Sequence, residues 1–119
     1  MQWESGTVVR VIRHERVFEV TVRGEMDYDE SDLLGAAWDE ADEHALPVTV
    51  VDLTLLTFGD SQLLRSLLDA HQRHRATDRA FVLLGPLHES VTRLLTISGT
   101  YDHFTITESR DAALRSAGG

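Results

Sequence analysis

The residues best suited to chemistry are an aspartate and a serine between two apolar runs, in Phe58-Gly59-Asp60-Ser61. One role of such a pair is to cap a helix, because Asp and Ser side chains accept hydrogen bonds from the free N–H groups of a first helical turn. A second role is regulatory. A phosphate on the Ser61 hydroxyl would be favoured by the positive end of the helix and would add about two negative charges beside Asp60. The stretch therefore predicts a helix cap, a phosphorylation switch at Ser61, or both.

A third possibility for Ser61 is a serine nucleophile, with His88 or His103 brought to it by folding as the base. However, the sequence contains no G-x-S-x-G elbow, no Walker loop and no G-x-G-x-x-G motif. No spacing between a nucleophile and a base favours such a pair. We therefore expect a protein that is not an enzyme, with a small hydrolase as a minor alternative.

Metal binding is also disfavoured. His71 and His74 lie on neighbouring positions of a predicted helix, but a site needs at least three protein ligands and no further ligand is evident. The acidic stretch 27–32 is not an EF-hand loop, since Asp32 stands where that loop requires glycine. We expect neither a metal nor a cofactor.

The chain carries a net charge of −9 over 119 residues and contains no cysteine. Its length suits one domain, predicted over 1–119 with a core over about 7–116. The negative charge disfavours nucleic acid and anionic membranes as partners. The first residues lack the apolar stretch of a signal peptide, and no run reaches the roughly 20 apolar residues of a membrane span. We therefore expect a cytoplasmic protein without disulfides.

Hydrophobic periodicity predicts strands that alternate with helices. The predicted strands cover 7–13, 17–23, 48–53, 80–84 and 103–107, and the predicted helices cover 32–44, 61–75, 88–98 and 108–116. The order β-β-α-β-α-β-α-β-α is typical of an α/β fold with a mixed, mostly parallel sheet. The first two strands, joined by a short turn, form an antiparallel hairpin in this prediction, and the helices pack on the sheet. On the second helix we expect Leu64, Leu67, Leu68 and His71 to form the apolar stripe.

Four ordered motifs give this pattern a family resemblance. They are Gly-Glu-Met-Asp at 24–27, the strand and Asp-Ser signature at 50–61, Val-Leu-Leu-Gly-Pro at 82–86 and the helix ending in glycine at 91–99. Together they resemble the STAS domain, named for sulfate transporters and anti-sigma-factor antagonists, and most of all the free-standing bacterial antagonists. The resemblance runs from about Val8 to Leu114.

The resemblance implies a function in transcription regulation by partner switching. Such an antagonist, when unphosphorylated, binds an anti-sigma factor that is also a serine kinase, and the sigma factor is thereby released. The kinase then phosphorylates the serine after the Asp, which ends the binding, and a phosphatase restores it. Carried over, the phosphoacceptor is Ser61, and Asp60 caps the helix and orients the hydroxyl. The expected partner-binding residues are Gly59, Gln62, Arg65, Ser66 and Asp69. The expected state is a monomer or a weak homodimer.

The residues after Ser61 depart from the family pattern. STAS antagonists usually continue Asp-Ser with a small residue and then glycine, whereas this chain has Gln62 and Leu63. A larger side chain at the start of the helix could change how a partner fits. The alternative is therefore a divergent STAS module that binds a protein or a small ligand without phosphorylation of Ser61.

Overall fold

The computed structural model describes residues 8–13, 15–26, 31–109 and 111–113, in which strands and helices follow the predicted order. The strands are β1 (Val8–Arg13), β2 (Val17–Met26), β3 (Val48–Gly59), β4 (Ala80–Leu84) and β5 (Thr105–Thr107). The helices are α1 (Ser31–His44), α2 (Ser61–Ala76) and α3 (Glu89–Ile97), with a 3-10 helix over Tyr101–His103. Residues 111–113 are also helical. In the rest of the predicted last helix, residues 108 and 109 are not helical, and residues 110 and 114–116 lie outside the described residues.

The five strands form one sheet in the order β1-β2-β3-β4-β5. β1 pairs antiparallel with β2, and every other neighbouring pair is parallel. This arrangement confirms the predicted mixed sheet with an N-terminal hairpin. The strand predicted over 103–107 is shorter than expected, because Tyr101–His103 forms a 3-10 helix before β5 begins at Thr105.

β2 and β3 extend well beyond their predicted ends at residues 23 and 53. The pairing of β3 with β4 stops at Asp52 and Leu84, but its pairing with β2 continues until Gly59 lies opposite Met26. Two register shifts accompany this extension, each with one extra residue in β3, and Gly24 in β2 has a φ of 87°, a conformation that favours glycine. The predicted end of this strand at residue 53 was therefore wrong. A paired strand, rather than a loop, leads directly to Ser61.

The two faces of the sheet are covered by different parts of the chain. Alternate residues of β3 and β4 point to opposite faces. Val51, Leu53 and Phe81 belong to the main core cluster, to which α1, α2 and α3 contribute buried residues. Val50 and Val82 belong to a second cluster, which includes Ala113. The described helices α1 to α3 therefore pack on one face, and the segment after β5 reaches the other.

Helix α2 is held against α1 by one buried aromatic side chain and a group of ion pairs. Trp38 is fully buried, and its Nε1–H lies 2.9 Å from the Ser66 hydroxyl and 3.0 Å from the Ser66 carbonyl oxygen. Arg73 lies within 3.1 Å of carboxylate oxygens of both Asp39 and Asp42 on α1. Since α2 begins at Ser61, these contacts also fix the direction in which that serine is presented.

The buried stripe of α2 is offset from the predicted one. Its buried residues are Leu63, Leu67, Ala70 and His74, and of the predicted set only Leu67 is fully buried. Leu64, Leu68 and His71 are half-buried. The prediction was wrong because leucines occur in adjacent pairs at 63–64 and 67–68, so the spacing alone fits two neighbouring faces of the helix.

The buried histidine of this stripe makes folding stability dependent on pH. His74 Nδ1 lies 2.7 Å from the Ala70 carbonyl oxygen and donates to it, so Nε2 accepts from the Thr49 hydroxyl at 2.6 Å. Burial lowers the pKa of His74, and burial followed by the nearby His103 and Arg75 lowers the pKa of His71. The unfolded chain therefore binds more protons than the folded one just below the ordinary histidine pKa of about 6.5.

We predict that the free energy of unfolding is constant above about pH 6.5 and falls as the pH drops below that value. Urea titrations at about pH 7.5 and about pH 5 measure the fall, which should be smaller in His74→Gln than in the wild type. His88→Gln, which changes an exposed histidine, should keep the dependence of the wild type. Equal dependence in the wild type and His74→Gln would contradict the role of His74.

Candidate functional site

The junction between β3 and α2 has the geometry of a capped helix start. Asp60 is extended, with φ −109° and ψ −165°, and its Oδ1 accepts a hydrogen bond of 2.9 Å from the Gln62 backbone N–H. Asp60 is thus the N-cap, and the first turn of α2 contains no acidic side chain. The aspartate fulfils the capping role, so the Ser61 hydroxyl is not needed for it.

Ser61 is the first residue of α2 and is exposed. It follows directly on the strand extension in which Phe58 and Gly59 of β3 pair with Glu25 and Met26 of β2. Two motifs that are far apart in sequence, Gly-Glu-Met at 24–26 and the Asp-Ser pair, therefore meet at one end of the sheet. Ser61 therefore follows directly on a paired two-stranded ribbon, and its side chain is exposed to solvent.

An apolar groove of about 450 Å³ runs alongside Ser61. It lies between the end of β3, the first turn of α2 and the length of α3. Its lining residues are Phe58, Gly59, Ser61, Leu64, Ser90, Arg93, Leu94, Ile97 and Ser98. Phe58 is 44% exposed and Ile97 78% exposed, which is unusual for large apolar side chains. The groove places an exposed apolar surface directly next to the serine hydroxyl.

The position of α3 beside the strand extension is fixed by one polar contact and by the buried side of the helix. The Ser90 hydroxyl donates to the Thr57 carbonyl oxygen at 2.6 Å. His88 is the N-cap of α3, and its Nδ1 accepts from the Ser90 backbone N–H at 3.1 Å. Val91 and Leu95 on the opposite side of α3 are fully buried in the core. Ile97 is therefore held at the surface by an anchored helix.

The predicted partner-binding residues lie in different environments. Gln62 is half-buried and Arg65 is exposed. Asp69 is exposed and lies 3.1 Å from Arg73 on the same helix. Gly59 is buried, and Ser66 is bonded to Trp38. Contact with a partner stays a prediction for all five.

Leu63, the larger departure from the family pattern, points into the core rather than toward the surface. It is fully buried, and it packs against Gly59 so closely that a Cβ atom on Gly59 would overlap Leu63 Cδ2. The absence of a side chain at Gly59 therefore leaves room for the leucine. The bulk of Leu63 does not cover the exposed start of α2.

The sequence prediction missed the apolar side of the site, formed by Phe58, Leu64, Leu94 and Ile97. Leu64 was expected to face the core. It does pack against the core cluster, but it is half-buried and also lines the groove, as does Leu94. A signal existed at Ile97, an apolar residue directly before the polar residues that end its helix. Nothing in the sequence indicated that α3 would lie beside Phe58.

The histidines considered for catalysis or metal binding make other contacts in the described part of the chain. No hydrogen bond joins Ser61 to a histidine there, since His88 caps α3 and His103 lies against His71. His74 bonds to Ala70 and Thr49, and the described residues contain no group of three His, Asp or Glu side chains suited to a metal. Among the described helices, none is long and apolar enough to cross a membrane.

Comparison with known families and structures identifies the kind of domain. Residues 9–108 match the family model described as "Mlab, STAS domain". The chain therefore belongs to the STAS domain family, as its motifs predicted. No curated protein matches the sequence significantly.

Solved structures show the same fold. An anti-sigma factor antagonist from Mycobacterium paratuberculosis is 21% identical and aligns over 100% of both chains with a TM-score of 0.78. SpoIIAA in its unphosphorylated form is 17% identical, with a TM-score of 0.79 over 94% of this chain and 98% of that one. The Bacillus cell fate determinant SpoIIAA in its phosphorylated form is 17% identical, with a TM-score of 0.71 over 92% and 99%. The fold is thus that of the anti-sigma-factor antagonists.

Proposed function

We propose that this protein is a bacterial anti-sigma-factor antagonist that binds an anti-sigma factor serine kinase and is switched off by phosphorylation of Ser61. The observation that carries the proposal is the exposed Ser61 hydroxyl at the edge of an exposed apolar groove. The antagonist is a binder and a substrate in this scheme, and not an enzyme. It acts in the cytoplasm, as a monomer or weak homodimer, and a phosphatase restores the binding state.

The groove supplies a physical reason for binding in the unphosphorylated state. Burying exposed apolar surface under a partner is favourable by roughly 25 cal/mol for each Å² removed from water. The exposed parts of Phe58 and Ile97 offer such surface beside a neutral hydroxyl. A serine hydroxyl at the rim is also small enough to let a partner close over the groove.

The same geometry explains how a phosphate would end the binding. A phosphate on Ser61 carries about two negative charges at neutral pH, and it is strongly hydrated. A partner that closes over the groove would remove part of that hydration, which costs several kcal/mol unless new cations replace the water. The carboxylate of Asp60 next to it adds repulsion toward an acidic partner surface. In the free antagonist, by contrast, the helix N-terminus stabilises the phosphate.

We assign the contact surface to the groove and the exposed face of α2. Ser61, Arg65 and Asp69 are spaced four apart, so they lie along one face of the helix. Gln62 stands at the rim of that face. Gly59 and Ser66 have supporting roles. Gly59 is buried and leaves room for Leu63, and the Ser66 hydroxyl accepts a hydrogen bond from Trp38.

The test uses the anti-sigma factor serine kinases of the source organism, each mixed with the purified antagonist. Wild type should gain the mass of one phosphoryl group with ATP and leave the kinase. Ser61→Ala should bind, gain no mass and stay bound, and Ser61→Asp should bind weakly because a fixed charge replaces part of the phosphate. Ser98→Ala, a change of another serine in the same groove, should behave as wild type. Phosphorylation of Ser61→Ala at the wild-type rate would refute the assignment.

The second candidate is a STAS module that binds constitutively, without phosphorylation. Gln62 favours it, since this half-buried polar residue replaces the usual small residue directly after the phosphoacceptor. In that case wild type would bind a partner but gain no mass with any of the kinases, and ATP would not release it. The intact-mass measurement therefore separates the two functions in one experiment.

A further inference from the structure

A second cleft lies at the opposite end of α2, between that helix and the 3-10 helix. Its volume is about 560 Å³, and its lining residues are Leu68, His71, Gln72, Arg75, Ala76 and His103. A smaller cleft of about 300 Å³ adjoins it and shares His71 and Arg75. Arg75 follows Ser61 by fourteen residues, so the two sites are about 20 Å apart along the helix.

The charge of this cleft is opposite to that of the chain as a whole. The chain has 20 acidic residues and 11 arginines, yet among the residues that the structure describes no carboxylate lines either cleft. Neighbouring arginines are neutralised, since Arg73 pairs with acidic residues of α1 and α2 and Arg79 pairs with Asp42. Arg75 is exposed and makes no ion pair with any residue that the structure describes.

Two histidines from different elements converge beside this arginine. The rings of His71 and His103 have their centroids 5.9 Å apart, and His71 also packs edge-on against Phe104 at 5.5 Å. The packing holds the His71 ring at the cleft wall. Burial lowers the pKa of His71, and His103 and Arg75 lower it further. The folded chain therefore holds together groups that repel one another whenever they are charged.

Helix stability alone does not account for this arrangement. Basic residues in the last turn of a helix complement its dipole, which explains Arg75. It does not explain His103, which comes from a separate element 28 residues later in the chain. A cation bridging the two histidines is disfavoured by the adjacent guanidinium and by the lack of a third ligand among the described residues.

We propose that this cleft binds a tetrahedral oxyanion of the phosphate type. The Arg75 guanidinium offers a fork of N–H donors that matches such an anion, protonated His71 adds a charged donor, and the His103 ring N–H adds another donor. When the anion is bound, the cationic groups of the cluster are attracted to it, which offsets their repulsion of one another. Binding is therefore coupled to proton uptake by His71, whose pKa is lowered in the free protein, and strengthens as the pH falls. The site does not depend on the function proposed for Ser61.

The described groups that face His71 are all cationic or neutral, which sets the sign of this pH dependence. His103 faces it from the 3-10 helix and Arg75 from its own helix. His74 and Arg79 line the adjoining cleft, the first buried and the second paired with Asp42. Asp102, next to His103 in the chain, lines a separate cleft with Tyr101.

The experiment is a titration of the whole chain with inorganic phosphate and with sulfate, followed by the histidine ring signals in NMR spectra. Sulfate keeps its charge across the range, so any pH dependence with sulfate belongs to the protein. Both anions should shift the ring signals of His71 and His103, at a lower concentration near pH 6 than near pH 8, while chloride at equal ionic strength should not. No shift beyond that of chloride would overturn the proposal.

Variants separate a specific site from general attraction. Arg75→Gln should bind sulfate about tenfold more weakly, as expected for the loss of a charge-assisted hydrogen bond. Arg65→Gln removes the same charge from the exposed face of the same helix and should bind as wild type. Equal binding by Arg75→Gln and wild type would refute the site, as would Zn²⁺ shifting the two histidines when neither anion does.

A third titration, with O-phosphoserine at the same pH, distinguishes between two sources of the anion. Tighter binding of O-phosphoserine than of inorganic phosphate would assign the site to a phosphate group on a larger ligand. Tighter binding of inorganic phosphate would assign it to the free anion. Neither result bears on phosphorylation of Ser61, so failure of this proposal is distinct from failure of the proposed function.

Discussion

Ile97→Asp is expected to weaken binding of the proposed partner kinase about 30-fold in the absence of ATP, since an anchor at the centre of an interface is worth about 2 kcal/mol. The change places a carboxylate in the apolar groove next to Ser61, where a partner would have to dehydrate it. Ile97 is 78% exposed, so the substitution leaves the core intact. Isothermal titration calorimetry with the purified kinase measures the loss.

The matched control for this prediction is Leu55→Asp. Leu55 is also a large apolar residue, 55% exposed, and it lies on β3 outside the groove. The two variants introduce the same charge at similarly exposed positions, so a general electrostatic effect would weaken both equally. Loss of binding in Leu55→Asp with normal binding in Ile97→Asp would place the interface elsewhere on the molecule.

The groove is a feature of the site that could not be predicted from the sequence alone. Strand β4 was predicted with its observed bounds, because a run of apolar residues between turn signals admits few alternatives. The helix cap at Asp60-Ser61 could likewise be predicted from the sequence, since capping depends on residues that are neighbours in the chain. The groove depends on α3 lying beside Phe58, and these segments are about 30 to 40 residues apart in sequence. Only the tertiary fold brings them together.

Two errors in the predictions from sequence, the end of β3 and the buried stripe of α2, have the same physical origin. The extension of β3 to Gly59 depends on pairing with β2, and such pairing is a property of two segments rather than one. The offset stripe of α2 depends on which of two adjacent leucines meets the sheet. In both cases local patterns were compatible with more than one answer, and long-range packing selected between them.

The burial of Leu63 rather than Leu64 in the core determines which residues the site presents at the surface. Had Leu64 been the buried residue, Leu63 would have stood near the exposed start of α2, where the family has glycine. With Leu63 buried over Gly59, the helix start presents Asp60, Ser61 and Gln62. The departure from the family pattern is therefore confined at the surface to Gln62.

Gly59→Ala is expected to destabilise the protein by about 1–3 kcal/mol, the usual cost of overpacking a core. Its new Cβ atom would overlap Leu63 Cδ2 and lie 3.2 Å from Leu63 Cβ and Cγ, and the fully buried leucine has little room to turn away. Urea denaturation with the slope held common to both proteins gives the difference in unfolding free energy. Gly35→Ala is the control, since a Cβ there meets nothing within 4 Å. That helical change should stabilise by up to about 1 kcal/mol.

A double-mutant cycle tests whether Gly59 and Leu63 form one unit. Leu63→Ala alone should cost about 2–5 kcal/mol, because it opens a cavity in the core. The added methyl group at position 59 would then enter that cavity instead of meeting the leucine. The double variant Gly59→Ala/Leu63→Ala should therefore be more stable than the sum of the two single changes predicts, by about 1 kcal/mol or more. Additive effects would mean that the two positions are independent, and that some other contact explains the tolerance of a leucine one turn from the cap.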